Sequence, residues 1–122
     1  MANLTAKLEL NTANNSSELF SFQLTKMLSI KNPSVQTFAV TVAHDADTAV
    51  LDGTENPEAT YLWVYNRDAT NYVKIELATA AVLRVGPGEA QLLCIEPAKA
   101  VDLRADTADC KVEYGYFTLD RY

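Results

Sequence analysis

The chain has one histidine, two cysteines, four glycines and four prolines in 122 residues. Each scarcity excludes something. A Ser-His-Asp or Cys-His device needs a histidine beside a nucleophile and an orienting acid. His44 instead stands in His44-Asp45-Ala46-Asp47, a strand end or loop. A metal site of the usual jelly-roll kind needs several histidines. Cys94 and Cys110 form no CxxC or Cys/His zinc spacing. No run approaches the roughly 20 apolar residues of a membrane span, and no apolar run of signal-peptide length follows Met1-Ala2-Asn3-Leu4-Thr5. The expectation is a chain made and kept in the cytosol until assembly. Its cysteines should then be reduced, and their apolar surroundings predict two buried free thiols.

Positive charge is also sparse. Ten Lys and Arg face sixteen Asp and Glu, for a net charge of −6. Phosphate binding rests on clustered Lys and Arg, and here they are scattered. Nucleic acid and anionic membranes are excluded as expected partners. Acids concentrate from His44 to Glu58 (Asp45, Asp47, Asp52, Glu55, Glu58), with no Lys or Arg between Lys31 and Arg67. Their spacing fits no calcium loop, and the stretch reads as a solvated acidic loop. Pro87 lacks the N–H that a phosphate cradle needs, so Gly86-Pro87-Gly88 reads as a turn. No catalytic residue, metal ligand or cofactor is expected, and the chain does not read as an enzyme.

What is present is period-two alternation between turn signals. Leu4, Ala6, Leu8 and Leu10 alternate with Thr5, Lys7 and Glu9. The same pattern recurs at Phe38–Val42, Val73–Leu77, Val101–Arg104 and Cys110–Tyr116. Gly, Pro, Asn and Asp clusters separate these pieces at strand-length intervals. The length suits one domain, residues 1–122. The predicted fold is all-β: an antiparallel β-sandwich of eight to nine strands, with the jelly roll as one form of it. Residues 18–30 fit both a strand (Phe20, Phe22, Leu24) and a helix face (Phe20, Leu24, Met27, Leu28), and the strand is preferred.

Some strands are apolar on both faces. Tyr61, Trp63 and Tyr65 point one way, and Leu62 and Val64 the other. Leu92 and Cys94 oppose Leu93 and Ile95, while Phe117 and Leu119 break the polar face set by Lys111 and Glu113. Burial between two layers, a register-flipping bulge, or a subunit contact would each explain this. The last makes Tyr61, Trp63, Tyr65, Tyr116, Phe117, Leu119 and Tyr122 interface candidates.

The order Tyr61-Leu62-Trp63-Val64-Tyr65-Asn66, Asn71 to Leu77, Val82 to Leu93 with its Pro87-Gly88-Glu89 turn, Asp102 to Asp106 and Val112-Glu113-Tyr114 resembles small β-sandwich virion proteins of tailed bacteriophages. These are capsid decoration or cement proteins and components associated with head or tail fibres. The match covers the second half. The resemblance implies a homo-oligomer, a trimer first, on the virion exterior. Its partner would be the major capsid protein or a neighbouring virion protein. A carbohydrate- or receptor-binding module is the alternative, with Trp63 and Tyr72 as its sugar platform.

Overall fold

In the computed structural model, residues 2–12, 20–31, 36–54, 56–77 and 80–118 are described. They form ten strands: β1 (Ala2–Asn11), β2 (Ser21–Ile30), β3 (Gln36–Val42), β4 (Thr48–Leu51), β5 (Thr60–Asn66), β6 (Val73–Leu77), β7 (Ala80–Val85), β8 (Ala90–Ile95), β9 (Val101–Ala105) and β10 (Cys110–Thr118). Eight of them make two four-stranded sheets, ordered β3-β10-β5-β8 and β4-β9-β6-β7, with every pairing antiparallel. Consecutive strands from β3 to β10 cross between the two sheets except at β6 and β7, which pair in one of them, and this is the double-sheet order of a jelly roll. The remaining two, β1 and β2, pair only with each other.

The structure bears out the all-β sandwich and settles residues 21–30 as strand. Glu18 lies outside the described residues. Ten strands exceed the expected eight to nine because the β1–β2 hairpin is a layer of its own. A strand was also overlooked in the acidic stretch. β4 sits between Asp47 and Asp52, and Val50 and Leu51 are both buried. A register shift between Ala49 and Leu51 lets two consecutive residues turn inward.

The core is the space between the two sheets. Val42, Leu62, Val64, Cys110 and Val112 meet Leu51, Val73, Ile75, Val101 and Leu103 there, all at most 1% exposed. The turns are built by local chemistry. Gly88 has φ 72°, the left-handed value that glycine tolerates, and follows Pro87, whose ring presets φ for a turn. Glu89 closes this turn by accepting the Gly86 N–H on its carboxylate at 2.9 Å. A Cβ on Gly86 would lie 2.5 Å from that carboxylate oxygen, so a larger residue there would push the Glu89 side chain off the Gly86 N–H.

Both cysteines are free. Cys110 is buried, with burial the main cause pushing its thiol pKa up. Cys94 is exposed, against expectation. It lies on the outward face of β8, opposite Tyr61 and at the sheet edge. The apolar run around it therefore signals an uncovered outer face, not a core position.

Candidate functional site

The outer face of the β3-β10-β5-β8 sheet carries the apolar residues singled out in the sequence. Strand register sets Tyr61 beside Phe117 and Cys94, Trp63 beside Gly115 and Leu92, and Tyr65 beside Ala90. The rings of Tyr61 and Phe117 stack with centroids 5.4 Å apart. No register shift occurs along β10, so the apolar C-terminal residues do not mark a bulge. Phe117 is buried because the hairpin lies over it.

The hairpin strands are in full register, from Ala2 opposite Ile30 to Asn11 opposite Ser21. Alternation therefore gives the ribbon two unlike faces. One carries Leu4, Ala6, Leu8 and Leu10 with Phe22, Leu24, Leu28 and Ile30. The other carries Thr5, Glu9 and Asn11 with Ser21, Gln23 and Thr25. At its base the apolar face is seated. Leu28 and Ile30 form a second buried cluster with Phe117, against which Leu4, Ala6, Tyr61 and Trp63 pack. Lys31 fastens this end twice. Its N–H donates to the Thr118 carbonyl at 2.9 Å, and its ammonium bridges both carboxylate oxygens of Glu58.

Beyond the base the same face is open to water. Leu8 is 51% exposed, Leu10 50%, Phe22 43% and Leu24 54%. The hairpin lifts from the sheet and leaves a cleft of about 410 Å³, lined by Leu4, Ala6, Leu8, Trp63, Leu92 and Phe117 among others. Leu92, across this cleft, is 49% exposed.

Of the expected interface residues, Tyr61, Trp63 and Phe117 thus lie against the chain's own hairpin. Tyr65 remains exposed on the outer face. Tyr116 sits on the opposite, inner face, stacked with Phe38 at 5.8 Å. Leu119 and Tyr122 lie outside the described residues. The sequence reading missed the hairpin's distal row and the role of Leu92. Their signal was there, in the matching phase of Leu8 and Leu10 with Phe22 and Leu24, but alternation does not reveal which face finds a cover.

The polar groups form smaller local arrangements. His44 Nδ1 lies 2.7 Å from Asp109 Oδ1, which also accepts the His44 backbone N–H at 3.1 Å. This hydrogen bond is the main cause raising the His44 pKa above 6.5, helped by the charge of Asp45 and opposed first by desolvation and then by Arg104. The same bond holds Asp109 below its usual 3.8. Arg104 Nε donates to the His44 carbonyl and its Nη1 lies 3.5 Å from Asp47. Asp47 in turn raises the pKa of Glu76, with burial second. Among the described residues no group of three or more His, Cys, Asp or Glu side chains could hold a metal ion.

Because the folded pKa of His44 is raised, its stabilisation is complete below about 6.5 and is lost as pH rises through the folded value. Asp109 works from the other side, contributing above 3.8 and losing that contribution as pH falls through its lowered value. His44→Ala is expected to remain folded and to lose the decline in unfolding temperature that wild type shows as pH rises above about 6.5. Thermal melts between about pH 5 and 8.5 test this. Parallel profiles for the two proteins would show that the pair contributes nothing.

No family model matches the chain, and no curated protein matches it.

Proposed function

We propose that the chain is a structural virion protein, a capsid decoration or cement protein that binds the major capsid protein lattice as an oligomer on the particle exterior. The observation that carries its oligomeric part is the hairpin. It extends an unfilled apolar face outside a jelly roll whose own core is closed. Exposed apolar patches of several hundred Å² mark protein-binding surfaces, and the patch here is a ribbon suited to another folded surface. The jelly roll is an architecture of viral capsid and lectin domains alike, so the fold alone does not choose between them. The resemblance running from Tyr61 to Tyr114 favours the virion. The two rings of a sugar platform are otherwise engaged. Trp63 packs against the hairpin cluster, and Tyr72 carries the Arg84 guanidinium 3.7 Å from its ring centroid.

The test is co-sedimentation with empty capsids from the same genome, run beside a glycan array. Saturable binding to empty capsids is expected, since neither the charge nor its distribution calls for packaged genome. Failure to bind capsids, together with selective glycan binding, would move the assignment to a receptor-binding module.

A further inference from the structure

We infer that the distal half of the β1–β2 hairpin is an exchange arm, which seats its apolar face on the outer β5–β8 face of a second copy of this chain. The inference deepens the oligomeric part of the proposed function and rests on that part alone.

Three observations select a second copy as the occupant. The first is continuity. The hairpin's apolar row already docks in cis, where Leu28 and Ile30 pack with Phe117, and Tyr61 and Trp63 pack against them. Past Ala6 and Lys26 the same row continues outward through Leu8, Leu10, Phe22 and Leu24. The sheet face likewise continues past Trp63 to Leu92, its register neighbour on β8. A surface that accepts this row therefore exists on the chain itself, and its unoccupied part begins where the cis contact ends. In its own chain the hairpin stands off from that part across the cleft that Leu8 and Leu92 both line.

The second is area. Phe20 and Phe22 are 56% and 43% exposed, so together they leave about one ring's worth of surface in water, on the order of 200 Å². With Leu8, Leu10 and Leu24 the patch reaches a few hundred Å², short of the roughly 800 Å² per partner of a standard interface. A partner that covered only the arm would fall short. A second copy offers the Leu92 face to this arm while its own arm needs cover in turn. Head-to-tail pairing around a closed ring then buries both patches on every copy.

The third is charge. β1 and β2 carry Lys7 and Lys26 against Glu9, a net positive, in a chain whose net charge is −6. Lys26 stands in the apolar row itself, in register with Ala6. The hairpin as a whole is thus slightly cationic, with Lys7 and Glu9 paired in its distal half, while the rest of the chain carries the excess of acid. A hairpin of two strands alone is also marginally stable in water, so the overhang gains from being seated.

The test uses the full chain and two substitutions at exposed positions. Phe22→Glu disables the arm and adds a charge that the acidic body repels. Leu92→Lys disables the acceptor by setting a charge in its apolar seat. Wild type should sediment as a closed oligomer, and each variant should weaken self-association at least about 30-fold, the size of an interface hot spot, while keeping its β circular dichroism. Mixing the two variants should restore a 1:1 pair, because one intact arm then meets one intact acceptor. A monomeric wild type would overturn the inference. So would a Leu92→Lys protein that stays oligomeric, since arms pairing only with each other need no acceptor. A monomer that still co-sediments with capsids would overturn the exchange arm and leave capsid binding standing.

Discussion

Phe117→Asp is expected to release the hairpin while the jelly roll stays folded. Phe117 is 4% exposed and forms the floor of the second cluster with Leu28 and Ile30. Its removal loses the burial of a large aromatic, about 3–5 kcal/mol. A carboxylate in its place is an unpaired charge against apolar side chains, which must either draw in water or open the contact. The main core shares no buried residue with this cluster. The loss therefore falls on the seat of the hairpin. A loss of about 3 kcal/mol raises the open fraction on the order of 100-fold. Hydrogen exchange reads this directly, with β1 and β2 amides losing protection while those of β5, β9 and β10 keep theirs. If β5 and β10 were to exchange as fast as β2, hairpin and sandwich would be one cooperative unit and the layered description would fail.

This division into body and arm was only partly legible in the sequence. Strands such as Val73–Leu77 and Val101–Ala105 announced themselves because one face of each is core and the other wet. β5 announced something more, since Tyr61 and Trp63 oppose Leu62 and Val64. The pattern said that both faces were covered without saying by what. Distance along the chain hides the answer, because the cover comes from β2, some thirty residues earlier, through a pairing that leaves no local trace. β4 was hidden for another reason. It is four residues long, and its flanking aspartates outweighed Val50 and Leu51 in a reading based on composition. Cys94 shows the same limit at a single position. Edge position decides its exposure, and strand order is a property of the whole topology.

Asn66 was legible as the end of a strand but not as the joint it proves to be. It is fully buried. Its amide Nδ2 donates to the carbonyls of Asn71 at 2.9 Å and Val85 at 3.2 Å, and its Oδ1 accepts the Asp68 N–H at 3.0 Å. Its backbone N–H donates to the Glu89 carbonyl, and its carbonyl accepts from Gly88. One side chain thus ties the end of β5 to the following loop and to the end of β7, while its backbone holds the β7–β8 turn. The loop is tied again by Asp68, which accepts N–H groups from Thr70 and Asn71. The Asn71 bond is the main cause of its lowered pKa.

Asn66→Leu fills similar space and leaves these three backbone groups without the amide. Each buried group so orphaned costs about 1–3 kcal/mol, and partial access to water at the loop keeps the sum near 3–5 kcal/mol. For a domain of this size that lowers the unfolding temperature by roughly 10–20 °C. Asn66→Asp separates hydrogen bonding from shape. It keeps the acceptor for Asp68 but turns a carboxylate oxygen toward two carbonyl oxygens, so at neutral pH it should be at least as damaging as leucine. Near pH 3 its protonated form can donate one bond again, and part of the difference should return. Urea unfolding of the three proteins at both pH values decides the matter. An Asn66→Asp protein as stable as wild type at neutral pH would mean that the amide donor is not what holds the joint.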